Sequence, residues 1–415
     1  MKLSKMRATS SVWESAYPWH LGGSIPSLGP PIGINLLAGG APFGFDPNAL
    51  LRAGWCQNTN CIVVGDPGNG KSALVKMLIY WLVGAFGYRF VGTDPKGEYT
   101  AVCAALGTPI LDIHPRGTTK INPLDDADGR LEFVSALAVL CLNRALTTGE
   151  EFALASTVAA LPDKPVLSDL FGVLKAMPES VTSQLSMSHD DALTMTRDLR
   201  FGIGGLLSGA LAGMFDERTN VHLAEARSGF AVNLAKCGTD DRVLRFAMLA
   251  GTRAAGQLIG SSTQQTIMCN DEGWRLGTHI DTVRSMQHSF KMGRTDAKMN
   301  LLIMHRLAEL GGQTDGAAAA IANRLVSDSA IKIVFRQEDA GDAADTVTRL
   351  GLPAATEELL RKMPPRRCLI VCEGRYALVD TKLSPALRSI TDTNMAMRAM
   401  PGMPGEQEIF AAARR

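Results

Sequence analysis

The sequence has no Cys-x-x-Cys motif, no apolar run long enough to span a membrane and no excess of charge of one sign. Each absence argues against a class of protein. Its 42 basic and 41 acidic residues give a formal net charge of +1. No overall positive field therefore favours tight, nonspecific nucleic-acid binding, although a local basic surface stays open. The eight cysteines are scattered without a Cys-x-x-Cys pair, and the seven histidines do not cluster near them. Neither a zinc site nor a disulfide framework is expected, and a reducing cytoplasm fits best.

No segment of the sequence predicts export or membrane insertion. The first residues include a few basic side chains but no apolar core, so a secretory signal is not expected. The most apolar stretch, residues 77–86, is too short to span a bilayer and is expected to form a buried helix. With 415 residues and 46% hydrophobic content, we expect one large α/β domain with an insert, or two to three domains.

Residues 65–72 carry the most informative pattern, Gly-x-x-x-x-Gly-Lys-Ser. Glycines let backbone N–H groups approach phosphates, Lys71 can reach the β- and γ-oxygens, and Ser72 can ligate Mg²⁺. A chance match in a loop is the alternative, but the strand pattern at 61–64 and the helical pattern at 73–79 give the required order of elements. The sequence therefore predicts a site for a nucleoside triphosphate with Mg²⁺. The predicted binding residues are Gly65, Asp66, Pro67, Gly68, Asn69, Gly70, Lys71, Ser72 and Ala73.

Short β-rich runs alternate with helical patterns after residue 61, which is typical of a parallel sheet with crossover helices. Further strands are predicted at residues 89–93, 109–113, 229–234, 266–270, 300–304, 331–335 and 368–372. Between about residues 130 and 211 the β-rich runs stop, and apolar residues recur with a helical period. We expect an α/β fold made of a Pro/Gly-rich N-terminal segment (1–60), the first part of the core (61–129), a mostly helical insert (130–211), the second part of the core (212–387) and a C-terminal tail (388–415).

A phosphate loop needs a carboxylate at the tip of another strand, and Asp271 and Glu272 follow the predicted strand at 266–270. Asp271 would hold Mg²⁺ through water, and Glu272 would take a proton from the attacking water as general base. The alternative is a solvated turn in which Asp271 caps a helix. The phosphate loop in the same chain favours the catalytic interpretation.

Two further polar groups follow predicted strands at the same carboxyl edge, where ligands bind in open α/β sheets. Asp94, Lys96 and Glu98 follow the strand at 89–93, and they either line the nucleotide site or form an ordinary turn that Asp94 caps. His305 follows the strand at 300–304, where it either senses the γ-phosphate or has a structural role.

Motifs spread over most of the chain carry a family resemblance. They are PFGFDP at 42–47, the phosphate loop at 65–72, DPKGEY at 94–99, INPLD at 121–125, LAGMFD at 211–216, DEGW at 271–274, HRLAEL at 305–310 and IVFRQ at 333–337. As an ordered set, they resemble the ATPases of type IV secretion and conjugation in the HerA/FtsK superfamily. Within it they are most similar to the TraC-like branch, in its compact actinobacterial form.

The resemblance implies a RecA-like P-loop core with a mainly parallel sheet. Such a core assembles as a hexamer, binds ATP and Mg²⁺ at subunit interfaces, and drives movement at an inner-membrane channel. It also implies that Lys96 and Glu98 belong to the neighbourhood of the site, and that His305 stands where many relatives place a sensing glutamine. Such ATPases take an arginine from the neighbouring subunit to stabilise the γ-phosphate charge. Arg294 and Arg336 are the candidates, and a surface salt bridge is the alternative for each.

The leading hypothesis is an ATP-hydrolysing motor of a conjugative or type IV secretion-like apparatus, cytoplasmic and peripheral at the inner face of the membrane. The expected partners are further copies of the chain, in a hexamer, and inner-membrane channel proteins. One alternative is a hexameric DNA translocase or coupling protein, with DNA as a partner. Another is a nucleotide-gated scaffold with little turnover, which the acidic pair at 271–272 argues against because a scaffold needs no general base.

Overall fold

The computed structural model describes residues 23–114, 117–208, 212–221, 227–237, 241–259, 264–271, 290, 298–309 and 323–391. The strands in these ranges are β1 (Pro31–Asn35), β2 (Ala41–Gly44), β3 (Cys61–Val64), β4 (Arg89–Asp94), β5 (Ile110–Asp112), β6 (Gly229–Asn233), β7 (Thr266–Asn270), β8 (Lys298–Met304), β9 (Ile331–Phe335), β10 (Arg367–Cys372) and β11 (Arg375–Thr381). They form one sheet in the order β2-β1-β11-β10-β9-β3-β8-β7-β4-β6-β5.

The α-helices in the described ranges are α1 (Pro47–Arg52), α2 (Lys71–Phe86), α3 (Thr100–Leu106), α4 (Arg130–Leu142), α5 (Thr148–Ala159), α6 (Leu167–Ala176), α7 (Glu179–Leu185), α8 (His189–Met195), α9 (Arg197–Ser208), α10 (Asp241–Ile259), α11 (Ala340–Leu350), α12 (Thr356–Lys362) and α13 (Pro385–Thr391). Between α4 and α9 the described chain is helical and contributes no strand. Its division into a separate insert domain stays a prediction.

Seven neighbouring strands, from β9 to β5 in the sheet order, are parallel to one another. The other four form an antiparallel extension, because β10 pairs antiparallel with both β9 and β11, and β1 pairs antiparallel with β11 and β2. The predicted α/β fold with a mainly parallel sheet is therefore confirmed. Each strand predicted from the sequence is present, whereas β1, β2 and β11 were not predicted.

The sheet separates two apolar cores because successive side chains of a strand point to opposite faces. Ile62 and Val64 of β3 belong to the core that includes α4, α5 and α10. Cys61 and Val63 of the same strand belong to the core that includes α2 and the antiparallel extension. Since both faces of β3 are covered, its residues are all buried, as expected for a central strand of a parallel sheet.

No helix in the described parts of the chain has both the length and the apolar content needed to cross a bilayer. The apolar stretch at 77–86 forms the last ten residues of α2, where Met77, Leu78, Ile79, Leu82 and Val83 are buried in the core and the final residues are exposed.

Candidate nucleotide-binding site

The phosphate loop lies at the carboxyl end of β3, which occupies the middle of the parallel part of the sheet. Gly65, Gly68 and Gly70 have positive φ angles of 147°, 77° and 106°. At Gly65 a side chain is excluded twice, by this backbone conformation and by space, since an added Cβ would lie 2.6 Å from Cβ of Phe335. These glycines allow the loop to pass close to β9 and to turn into α2.

Residues that follow β9 and precede β10 hold the loop in place through hydrogen bonds to its backbone and to one of its side chains. The Asp66 amide donates to the Arg336 carbonyl over 2.9 Å, at the end of β9. The Asp66 carboxylate accepts from the Glu338 amide over 2.7 Å. On the side of β10, the Arg366 amide donates to the Asn69 carbonyl over 2.9 Å. The loop is therefore anchored to the parallel sheet and to its antiparallel extension.

Lys71 is the first residue of α2, and only 5% of it is exposed. Its ammonium group donates to the Gly65 carbonyl and, over 3.0 Å, to the Asp66 carbonyl. It also lies 3.3 Å from Nδ1 of His305, the residue that follows β8. A lysine folded back onto carbonyl groups of its own loop carries its positive charge at the place where the loop would meet phosphate oxygens.

The residues of the loop fit a nucleoside triphosphate with Mg²⁺. Three glycines in left-handed conformations, the buried ammonium of Lys71 and the amino end of a 16-residue helix are the donors and dipoles that phosphate binding requires. Ser72 and Ala73 follow in the first turn of α2 and are half-buried. The hydroxyl of Ser72 and the carboxylate of Asp271 are oxygen donors of the type that Mg²⁺ prefers.

Asp271 lies at the carboxyl end of β7, two strands away from β3 in the sheet, and is 7% exposed. The Tyr99 hydroxyl is 3.4 Å from a carboxylate oxygen of Asp271 and 3.4 Å from the Cys269 sulfur. Burial, together with the negative charge of Asp271, raises the pKa of Tyr99 well above its usual value. The phenol therefore stays protonated and can donate to the carboxylate. Glu272 and Arg294 lie outside the described residues.

Asp94 organises the loop that follows β4. Its carboxylate accepts from the amides of Lys96, Glu98 and Tyr99 over 3.2, 3.0 and 2.9 Å. Burial raises the pKa of Asp94, and these backbone donors act in the opposite direction. The Asp94 carboxylate thus has the geometry of the capped turn, while Lys96 is exposed and Glu98 half-buried at the surface of the loop. Contact of these three residues with a nucleotide stays a prediction.

A buried lysine joins this loop to the phosphate-loop helix. Lys76 of α2 is completely buried, and its ammonium lies 3.3 Å from the Glu98 carboxylate. The same ammonium lies 5.6 Å from the centre of the Tyr99 ring. Because the Tyr99 hydroxyl contacts Asp271, the side chains of Lys76, Tyr99 and Asp271 connect α2 with the carboxyl end of β7.

The two remaining candidates in the described parts of the chain, His305 and Arg336, also lie at the carboxyl edge of the sheet. His305 is half-buried, and its amide donates to the Glu309 carboxylate over 3.1 Å. The guanidinium of Arg336 pairs with Glu338 over 3.3 Å, and its Nε is buried without a hydrogen-bond partner among the described residues. The ion pair corresponds to the alternative considered for Arg336, and a role toward a neighbouring subunit stays a prediction.

The sequence analysis assigned no role to Lys76, Tyr99 or Arg366, although Tyr99 ends the motif at 94–99. Lys76 lies in an otherwise apolar helix, where a charged residue between apolar neighbours is a recognisable signal. The contact of Tyr99 with Asp271 joins residues 172 positions apart, and no spacing rule predicts it.

Residues 51–123 match the sequence model of the AAA-like domain family. No curated protein has a significantly similar sequence. The fold is similar to that of VirB4 of Thermoanaerobacter pseudethanolicus, with a TM-score of 0.70 and 19% identity over 88% of this chain and 99% of that chain. It is also similar to the plasmid coupling protein TrwB in complex with the ATP analogue ADPNP, with a TM-score of 0.62 and 14% identity over 88% of this chain and 94% of that chain. For TrwB with ADP and Mg²⁺, the TM-score is 0.59 and the identity 15%, over 83% of this chain and 88% of that chain.

The AAA-like match contains the phosphate loop and the loop after β4, and the structural likeness to VirB4 covers 88% of this chain. Residues 51–123 thus match the AAA-like domain family, and the chain as a whole has the fold of VirB4 and TrwB, which confirms the RecA-like P-loop fold that the resemblance implied.

Proposed function

We propose that this protein is an ATP-hydrolysing motor of a conjugative or type IV secretion-like transfer apparatus. The observation that carries the proposal is the geometry of the phosphate loop, in which the buried ammonium of Lys71 lies at the amino end of α2. Asp271 ends a parallel strand at the same edge of the sheet, so a triphosphate held by the loop would face a carboxylate.

In the proposed reaction, Lys71 stabilises the negative charge of the β- and γ-phosphates, and Ser72 and Asp271 hold Mg²⁺ directly or through water. Bound Mg²⁺ would neutralise charge that develops on the phosphate oxygens. Glu272 would accept a proton from the attacking water. The contact between His305 and Lys71 supports a role for the imidazole in sensing the γ-phosphate, because loss of that phosphate would change the surroundings of both side chains.

The proposed assembly is a hexamer on the cytoplasmic side of the membrane, in contact with inner-membrane channel proteins. Arg336 or Arg294 of one subunit would complete the site of its neighbour, since a guanidinium is planar and always charged. The likeness to VirB4 over nearly the whole of both chains supports the secretion motor.

A DNA translocase or coupling protein is the second candidate, because TrwB, a conjugative coupling protein, has the same fold. The net charge of +1 weakens this candidate, although a ring would concentrate a few basic residues of each subunit on one axis.

Steady-state ATP hydrolysis, measured over a series of protein concentrations with and without DNA, tests the proposal. The variants are Lys71→Ala and Glu272→Gln, and Lys175→Ala, on the exposed face of α6, is the matched control. We expect turnover per subunit that rises with protein concentration, is lost in both site variants, is kept in the control and does not respond to DNA. Strong stimulation by DNA would favour the translocase, and ATP binding without turnover at any concentration would favour the scaffold.

A further inference from the structure

Arg366 has an unusual backbone conformation beside the phosphate loop. Five non-glycine residues in the described parts of the chain have positive φ angles. Asn143, Met177 and Ser186 end helices, and Glu373 lies in the two-residue turn between β10 and β11. These are positions where a left-handed residue serves chain reversal or helix termination. Arg366, with φ of 66°, directly precedes β10.

Hydrogen bonds on both sides of the residue hold this conformation. The Arg366 amide donates to the carbonyl of Asn69 in the phosphate loop over 2.9 Å. The Arg366 carbonyl accepts from the Thr381 amide over 3.0 Å and from the Thr381 hydroxyl over 2.7 Å. A Cβ added to Gly70 would lie 3.4 Å from Cα and 3.7 Å from Cγ of Arg366. The arginine is therefore packed against the loop at the residue before Lys71.

The positive charge of Arg366 is not neutralised by a carboxylate among the described residues. Its side chain is exposed, and none of the described carboxylates forms an ion pair with it. By contrast, Arg336 pairs with Glu338 at the same edge, and the next residue, Arg367, approaches Asp380 to 3.7 Å.

We propose that Arg366 binds the phosphates of the nucleotide held by its own subunit. A left-handed conformation costs conformational free energy for a residue with a side chain, and such residues persist where the surrounding structure imposes them, commonly at ligand sites. Glycine would satisfy this backbone without cost, but it would remove the guanidinium. Arginine donates bidentate, charge-assisted hydrogen bonds to phosphate oxygens. This inference rests on the proposed nucleotide binding and assigns it a further residue from the antiparallel extension.

Isothermal titration of the full chain with ADP and with inorganic tripolyphosphate, each in Mg²⁺, tests the inference. We expect Arg366→Ala to weaken both ligands by about tenfold, as expected for the loss of a charge-assisted contact. Arg366→Lys keeps the charge without the bidentate geometry, so we expect a smaller loss. Arg361→Ala, an exposed arginine at the end of α12, is the control and should bind like the wild type.

A purely structural role is tested with Arg366→Gly. This variant relieves the backbone, so we expect a melting temperature at or above that of Arg366→Ala, together with the same tenfold loss of both ligands. Weakened ADP with unchanged tripolyphosphate would place the guanidinium on the base or ribose and overturn the phosphate assignment. If the wild type binds and Arg366→Ala binds within twofold of it, the inference is wrong while nucleotide binding stands. If the wild type binds neither ligand, the proposed nucleotide binding fails as well.

Discussion

Tyr99 determines how the acidic end of β7 is held. It is buried, and its hydroxyl lies 3.4 Å from the Asp271 carboxylate. Because its pKa is raised well above the usual value, the phenol stays protonated and can donate to the carboxylate. Asp94 shapes the loop that carries this tyrosine, so a residue predicted as a ligand candidate also acts on the position of Asp271 through Tyr99.

We expect Tyr99→Phe to lower ATP turnover and the apparent affinity for Mg²⁺, because Asp271 loses a donor that fixes its orientation. One neutral hydrogen bond is worth about 1 kcal/mol, or about fivefold in a binding constant. Turnover measured as a function of Mg²⁺ concentration checks this expectation. Tyr80→Phe, on a half-buried tyrosine of α2, is the control. An unchanged Mg²⁺ dependence in Tyr99→Phe would show that the tyrosine contributes to packing alone.

Single residues differ in how far the sequence predicts them. The phosphate loop is predictable because its chemistry depends on flexible glycines and on one lysine. These residues lie within one short segment of the sequence. Tyr99 and Arg366 were missed for different reasons. The contact of Tyr99 joins the loop after β4 to the end of β7, which is distant in sequence, whereas the role inferred for Arg366 depends on a backbone angle that no residue type specifies.

At the scale of elements, burial decides which strands the sequence predicts. The central parallel strands are covered on both faces and read as continuous apolar runs, and all of them were predicted. The antiparallel extension is harder, since β11 alternates buried and half-buried residues and β1 contains both proline and glycine. This extension nevertheless contributes to the candidate site, because Arg366 directly precedes β10.

The start of α5 depends on one buried carboxylate. Glu150 is 3% exposed, accepts two hydrogen bonds of 2.8 Å from the Arg144 guanidinium, and accepts from the Thr147 amide over 2.8 Å. These donors, the Arg144 hydrogen bonds first, lower the pKa of Glu150 to about 2. A carboxyl with a lowered pKa stabilises the fold above its ordinary pKa of 4.5, and this stabilisation is lost as the pH falls toward 2.

We therefore expect Glu150→Gln to lower the free energy of unfolding at pH 7 by about 2 kcal/mol, less than the full pKa shift implies because Arg144 is partly exposed. The difference between variant and wild type should shrink as the pH falls from 4.5 toward 2. Urea unfolding followed by circular dichroism at several pH values measures it. Asp198→Asn, which removes the exposed second partner of Arg144, should change stability little. A difference independent of pH would contradict this account.

At the scale of the whole molecule, the contacts of Arg336 bear on which site it serves, its own or that of a neighbouring subunit. Its carbonyl accepts from Asp66 of its own phosphate loop, and its guanidinium pairs with Glu338, so within one subunit it is already engaged. The pair is partly exposed, with 32% and 66% of the two side chains accessible. Exposed ion pairs contribute little free energy, so a neighbouring phosphate could displace Glu338 at small cost.

Mixing two inactive variants distinguishes these cases. Asp271→Asn removes the metal carboxylate and keeps Arg336, whereas Arg336→Ala keeps the metal site and removes the guanidinium. If Arg336 acts across the interface, a site formed by an Arg336→Ala subunit beside an Asp271→Asn subunit is complete. In a randomly mixed ring with equal amounts of both variants, about a quarter of the sites have this arrangement, so we expect turnover near a quarter of the wild-type rate. If Arg336 serves its own subunit, every site stays defective and the mixture is as inactive as its components. A mixture of Asp271→Asn with Lys71→Ala is the control, because both changes lie in one subunit's site and no pairing of these subunits restores it.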